Sequence, residues 1–195
     1  VLNDALYFAL TGFMYEYHDL QLGLVKSTGG QVTQNIPSAS IAGLELEGWL
    51  NLGDTTRIDY RVAYLNAEYN DFFPLQANPT LNLNGQPLDR SPEWSGRIGI
   101  TQDFELANGG RISGTAATKF SSSYVVIDGN TATQFVQEGY TRTDLTLGYF
   151  APDDAWYVQA FARNLENNRL LGLLELGAFT LSDPRQFGVR AGFNF

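Results

Sequence analysis

Apolar and polar side chains alternate along most of this chain with a period of two, the repeat of a strand and not the 3.6-residue repeat of a helix. From Gln186 to Phe195 the odd positions are Phe187, Val189, Ala191, Phe193 and Phe195, and the even ones are Gln186, Gly188, Arg190, Gly192 and Asn194. Between Trp94 and Leu106 one face carries Trp94, Ile98, Ile100, Phe104 and Leu106, and the other Ser95, Arg97, Thr101, Asp103 and Glu105. Residues 111–121 set Ile112, Ala116 and Phe120 against Arg111, Ser113 and Lys119. Residues 42–52 set Leu44, Leu46, Leu50 and Leu52 against Glu45, Glu47 and Asn51. Alternation is weaker in 57–69 and in 156–163. A chain written this way must cover each apolar row with something other than water, and must do so with sheets.

Eight strands account for the pattern, at roughly 6–26, 31–52, 56–70, 94–106, 111–124, 140–150, 155–164 and 186–195. Several exceed the usual globular length of about 5–6 residues. Gly53-Asp54-Thr55, Ala107-Asn108-Gly109-Gly110 and Ala151-Pro152-Asp153-Asp154 are tight turns. Between them lie long connections at 71–93, 125–139 and 165–185. Short and long connections therefore alternate, one kind on each rim, as do the periplasmic turns and extracellular loops of an outer-membrane barrel. The expected fold is all-β, an antiparallel up-and-down meander of about eight strands, of transmembrane outer-membrane type. The chain is expected to be either part of a larger barrel or a small closed one.

Hydropathy alone gives a different impression. Charged residues make up 17% of the chain, 21 acidic against 12 basic, and no apolar run approaches the roughly 18 residues of a membrane helix. A strand that faces lipid on one side and a polar lumen on the other averages to neutral hydropathy, so a barrel is hidden from such a window. Alternation fits a soluble half-buried sheet as well, and the sorted loop lengths favour the barrel. On that reading Glu45, Glu47, Arg57, Asp59, Arg61, Arg97, Asp103, Arg111, Lys119, Arg142, Asp144 and Arg190 are the lumen-facing candidates. Tyr7, Tyr15, Tyr17, Tyr69, Tyr124, Tyr140, Tyr149 and Trp156 lie near strand ends, where interfacial girdles are expected.

Other functions find little support. With no Cys and only His18, a thiolate site, a histidine zinc site and a His-based triad are all disfavoured, and neither catalysis nor a cofactor is expected. Ser121-Ser122-Ser123 has no base nearby in the pattern and reads as a polar rim. Glu45 and Glu47 share a face and read as members of an ion-pair lattice rather than as an acid/base pair. One turn holding Asp153-Asp154 offers too few oxygens for calcium. A net charge of −9 argues against a nucleic-acid surface. The apolar stretch Leu170 to Gly177 is expected to extend its flanking hairpin, with contact to a hydrophobic ligand the other reading. Phe72, Phe73, Pro74, Leu75, Asn78 and Pro79 form another possible ligand surface. The start, Val1 to Asp4, carries no signal-peptide features and runs almost directly into a strand, so a fragment is expected.

Several local motifs resemble one family when taken together. Phe193-Asn194-Phe195 resembles the terminal aromatic signal read by the outer-membrane assembly machinery. Pro184-Arg185-Gln186-Phe187-Gly188 resembles the lead-in to the last strand of TonB-dependent receptors, and Trp156 to Leu165, ending in Asn164-Leu165, resembles their penultimate strand. Asn35, Ala39, Gly43, Glu45 and Glu47 resemble another of their strands. The segment from Phe13 to Gln21 resembles the strand before that one, and Ser91-Pro92-Glu93-Trp94 the start of a descending strand.

The resemblance implies that residues 1–195 are the last eight strands of a barrel of about 22 strands. The plug, the energy-coupling box and the other strands would then lie outside this chain. It also implies a place in the outer membrane of a Gram-negative bacterium, in contact with lipid, the barrel assembly machinery and a transported small ligand such as a ferric siderophore. Phe193 and Phe195 would form the assembly signal. Two other readings stand beside it. One is a complete small eight-stranded barrel with a structural or adhesive role, which requires the first and last strands to pair. The other is a soluble all-β ligand-binding domain.

Overall fold

The computed structural model describes residues 5–25, 31–70, 82–127, 135–175 and 178–194. Eight strands form one antiparallel sheet: β1 (Leu6–Val25), β2 (Gln31–Leu52), β3 (Thr56–Asn70), β4 (Trp94–Glu105), β5 (Arg111–Ser121), β8 (Tyr140–Phe150), β9 (Trp156–Arg163) and β12 (Gln186–Phe193). Each pairs with its neighbours in chain order, giving the meander that the alternation implied. Four short strands lie outside this sheet, β6 (Tyr124–Ile127) paired with β7 (Phe135–Gln137), and β10 (Leu171–Glu175) paired with β11 (Ala178–Leu181). Both ribbons belong to long connections. The second forms its own two-stranded sheet instead of lengthening β9 and β12, a departure from the expected hairpin extension. Phe72 to Pro79, Leu176, Gly177 and Phe195 lie outside the described residues.

Register decides which side chains share a face, because partners directly opposite in an antiparallel pair point the same way. Leu44 opposes Tyr64, Tyr64 opposes Trp94, Ile58 opposes Ile100, and Ile100 opposes Ala116. One face is thus apolar from β1 to β12. Nothing among the described residues covers it. Met14 is 76% exposed, Val189 71%, Leu10 66% and Ile98 51%. A soluble sandwich packs such a face against a second sheet, and none of the described residues forms a second layer on the main sheet. Contiguous apolar surface on this scale marks contact with another apolar phase.

The apolar band has an upper limit. On β1 it runs Leu6, Phe8, Leu10, Gly12 and Met14 and then gives way to Glu16 and His18. On β3 it ends at Tyr64, after which the same face carries Asn66 and Glu68. A band of about nine to eleven residues per strand is the length of a tilted transmembrane strand. The first three strands continue beyond it, β1 by roughly 30 Å at about 3.3 Å per residue. This explains strands as long as the 22 residues of β2.

Buried apolar side chains gather at that upper end. Ile36, Ala39, Ala67, Tyr69, Leu83, Val125 and Val126 are all buried. Residues 82–93 fold back along β3 through Leu88 N–H to Ala67 O (2.9 Å), Tyr69 N–H to Gln86 O (3.0 Å) and Leu65 N–H to Glu93 O (2.9 Å). Soluble-type packing therefore appears where the band ends.

Aromatic placement corrects one expectation. Only Tyr149 and Trp156 of the proposed girdle lie on the apolar face, with ring centroids 5.2 Å apart near the short turns. Tyr64 and Trp94 form the matching pair at the other limit, 5.0 Å apart. Tyr7, Tyr15, Tyr17 and Tyr140 fall on the opposite, polar face, Tyr69 is buried and Tyr124 belongs to β6. Proximity to a strand end does not fix parity, and parity decides the face.

The sheet is open. Its order ends at β1 on one side and β12 on the other, and no pairing joins these two among the described residues. A closed eight-stranded barrel needed that pairing, and the reading as a complete small barrel is corrected accordingly.

Candidate functional site

The second face of the sheet is polar, and every lumen-facing candidate lies on it. Glu47 opposes Arg61, Arg61 opposes Arg97, Arg97 opposes Lys119 and Lys119 opposes Arg142, so these five residues form one row across five strands. Asp59 and Asp144 share the next row toward the short turns, linked through Gly99 and Ala117. Arg57, Asp103, Arg111 and Arg190 lie nearer those turns, and Glu45 lies one row above Glu47. The face is concave, since Thr11 of β1 and Tyr140 of β8 line the same recess of about 710 Å³.

Half of this face balances its own charge. The Arg61 guanidinium stands 3.4 Å from Glu47, and Arg97 pairs with Asp59. Arg111 lies 3.3 Å from Asp103 and 3.9 Å from Asp154, and stacks over Phe150 at 4.3 Å. Arg57 lies over the Trp49 ring at 4.6 Å, and Arg190 donates to Gln159 at 2.6 Å. Lys119 and Arg142 have no ion pair among the described residues. Like charges directly opposite in a sheet repel; in this row Glu47 and Asp59 offset Arg61 and Arg97, and the Glu166 carboxylate interacts with Arg142.

Two glycines in the family-like motifs have a steric reason. The Phe13 ring lies over Gly43, where a Cβ would stand 2.6 Å from Cζ of Phe13 and 2.7 Å from the Tyr64 carbonyl oxygen. At Gly188 a Cβ would stand 2.4 Å from Cζ of Phe161. Glycine lets a cross-strand aromatic lie flat on the sheet, which is how edge glycines are covered in twisted sheets.

The Asn-Leu and Pro-Arg motifs meet in a polar clasp where β8, β9 and the start of β12 come together. Asn164 is fully buried at φ 53° and donates its N–H to Asp144 Oδ1 (2.9 Å). Its side chain donates to the carbonyls of Asn168 (2.9 Å) and Asp183 (3.1 Å) and accepts from the Asn168 N–H (3.0 Å). Arg185 donates to the Leu165 carbonyl at 3.2 Å, and its N–H reaches Asn167 Oδ1 at 3.0 Å. Glu166 accepts from the Thr143 N–H (2.7 Å) and hydroxyl (2.6 Å). Desolvation pushes this carboxyl up, but the Thr143 hydrogen bonds, a bond from its own backbone N–H and the charge of Arg142 together hold Glu166 below the ordinary carboxylate value.

Three long connections are tied together above the polar face. Arg90, at φ 56°, donates its N–H to the Val125 carbonyl (2.7 Å) and its guanidinium to the Gly172 carbonyl (2.8 Å). The Gln137 side chain accepts from the Leu171 N–H at 2.9 Å. Arg90 escaped the sequence reading because it sits in a connection without periodicity. Extending the parity of Tyr157, Gln159 and Phe161 by one step would have found Arg163. His18 faces away from the charged row, opposite Ser38, and Ser121 and Ser122 hydrogen-bond locally at the rim. Among the described residues no three His, Asp or Glu side chains gather as metal ligands.

An open antiparallel sheet with an uncovered apolar face, a charged concave face and loops sorted by length is a section of transmembrane β-barrel wall. The family model for the TonB dependent receptor-like β-barrel matches residues 1–165, and the chain belongs to that family. Solved structures agree on the fold. The ferric yersiniabactin uptake receptor FyuA from Yersinia pestis aligns with a TM-score of 0.76 at 15% identity, over 98% of this chain and 28% of its own. The siderophore receptor PiuA from Acinetobacter baumannii gives 0.68 at 17%, over 98% and 26%. The copper transporter OprC gives 0.70 at 17%, over 98% and 29%. The chain thus spans between a quarter and a third of the length of these structures. No curated protein sequence matches it.

Proposed function

We propose that this chain is the carboxyl-terminal barrel wall of a TonB-dependent receptor in the outer membrane of a Gram-negative bacterium. The receptor imports a scarce ligand of the ferric siderophore kind. The uncovered apolar face carries the reading, because it needs lipid, and family membership supplies the kind of receptor. Within it the apolar face meets acyl chains and the charged face lines the lumen, toward a plug supplied by the rest of the receptor. The long connections take part in ligand capture outside the cell, and Phe193 and Phe195 serve the assembly machinery. The two open edges pair with the remaining strands, since an unpaired edge in lipid leaves backbone groups unsatisfied at several kcal/mol each.

Import is tested by deleting the gene and measuring energy-dependent uptake of a panel of ferric and copper chelates. Loss of uptake of one chelate, matched by an uncoupler in the parent strain, is the expected result. Unchanged uptake across the panel, with the protein present in the outer membrane of the parent, would contradict the reading. A soluble ligand binder is disfavoured by the exposed apolar face, and a self-contained barrel by the unpaired ends of the sheet.

A further inference from the structure

Beyond the apolar band the neighbour of β3 changes. β4 begins at Trp94, opposite Tyr64, while β3 runs on to Asn70. Residues 82–93 fill the place beside it, but out of step. Leu65 N–H donates to the Glu93 carbonyl and Leu88 N–H to the Ala67 carbonyl, so the stretch from Leu88 to Glu93 faces only Ala67 to Leu65. The surplus forms a bulge at 89–92. Arg90 and Pro92 of the bulge line the recess on the concave face, and the Arg90 N–H reaches the Val125 carbonyl at 2.7 Å. Chain pushed to one side of a sheet leaves room on the other.

That room is a hollow of about 460 Å³, bounded by β3, this segment and the β6–β7 ribbon. Tyr64, Asn66 and Glu68 line it from β3 in the parity of the apolar face, so it opens on the outward side of the wall. Tyr64, in ring contact with Trp94, marks the limit of the apolar band. Whatever fills the hollow therefore stands beside the wall at the head-group level of the surrounding lipid. A solute passing through the lumen does not meet it. Among the described residues the side chains of Asn66, Glu68 and Glu93, all lining the hollow, make no hydrogen bond or ion pair with the chain. No described Lys or Arg lines it, so it offers a phosphate no counter-charge.

We propose that this hollow seats a sugar ring in the head group of an outer-leaflet glycolipid. The proposal rests on the reading that the apolar face meets lipid, and it adds which lipid is held and where. A sugar carries hydroxyl donors around its edge and C–H groups on its faces. The carboxylates of Glu68 and Glu93 accept from hydroxyls, and the Asn66 amide both donates and accepts. Tyr64 and Val136, the latter 42% exposed, supply apolar surface for the face of the ring. A lining that is partly apolar with a few placed polar groups is what a small-molecule pocket needs. Below the hollow, the exposed Ile98 and Ile100 receive acyl chains of the same molecule.

The test uses the complete receptor carrying this chain, purified in detergent, with heat-modifiable migration showing that each variant is folded. Native mass spectrometry counts the lipid retained. Lipid A is the probe, and cardiolipin, which has phosphates and acyl chains but no sugar, is the control. EDTA is present throughout to remove bridging cations. Wild type is expected to retain lipid A in preference to cardiolipin. Glu68→Gln and Asn66→Ala each lower the apparent lipid A affinity about tenfold, the scale of one lost hydrogen bond, and leave cardiolipin unchanged. Glu16→Gln removes an exposed charge above the band on the same side but outside the hollow, and does not weaken lipid A binding. Both glutamate substitutions relieve repulsion of the lipid phosphates, so weaker binding in Glu68→Gln alone is specific to the hollow. Equal retention of the two lipids by wild type overturns the proposal, and so does a Glu68→Gln variant that holds lipid A as tightly as wild type. Displacement of lipid A by free chitobiose would assign the hollow to a soluble sugar and also overturn it. A receptor that enters bilayers yet shows no preference for lipid A loses this site and keeps the membrane reading.

Discussion

Gly43 and Gly188 look alike in the sequence, each a glycine on the polar face beneath a cross-strand aromatic, and the structure separates them. At Gly188 the obstacle to a Cβ is the far edge of the Phe161 ring, which can rotate away. At Gly43 it is also the carbonyl oxygen of Tyr64, part of the sheet itself. Gly43→Ala is therefore expected to destabilise the receptor by about 1–3 kcal/mol, the scale of overpacking in a filled site. Gly188→Ala should cost well under half of that. Urea unfolding in detergent micelles, followed by tryptophan fluorescence, measures both, and equal costs would contradict the steric argument. The faces themselves were legible residue by residue, because alternation fixes parity and parity fixes the side of the sheet. Ion-pair partners were not legible, since they depend on which strands become neighbours and at what offset. Glu47 meets Arg61 across 14 positions of sequence and Asp59 meets Arg97 across 38, and no local pattern encodes either.

At the scale of elements, strand positions in the main sheet follow from the turns and the alternation, to within a few residues at each end. The ribbons β6–β7 and β10–β11 were not legible, because their pairing includes bulges that break the period of two. The clasp around Asn164 shows how an element boundary is held. Asn164 tolerates its left-handed backbone as few other side chains do, and it satisfies groups from the Asn168 and Asp183 segments at once. Asn164→Ala removes a buried amide that ties the half-buried Asn168 and the exposed Asp183 segments together, at about 1 kcal/mol. Amide exchange should accelerate across 164–170 and 182–186 while β4 and β5 remain unchanged, and uniform acceleration would contradict a local role. Glu166 adds a pH dependence of known sign. Its carboxyl lies below the ordinary value in the folded state, so its contribution is complete above the unfolded pKa and is lost as pH falls through the folded one. Exchange at the Thr143 and Leu165 amides should rise on acidification, and Glu166→Gln should remove that rise.

The whole molecule is a wall without an inside of its own. Among the described residues the packed apolar cluster caps the top of the sheet, while the longest apolar surface is left uncovered. Composition pointed toward a soluble acidic protein, and alternation with sorted loop lengths pointed toward a membrane wall; register aligns the apolar rows on one side, and no described residue covers that side, which supports the wall. The chain's lack of cysteine makes the central claim directly measurable. Single cysteines placed from Ser95 to Thr101 along β4, in the complete receptor reconstituted in a bilayer, can each carry a nitroxide. Collision with oxygen, which concentrates in lipid, and with a water-soluble nickel chelate then reports the surroundings of each site. Oxygen accessibility is expected to peak at Gly96, Ile98 and Ile100 and nickel accessibility at Ser95, Arg97, Gly99 and Thr101. High nickel accessibility at Ile98 and Ile100, equal to that of their neighbours, would contradict it.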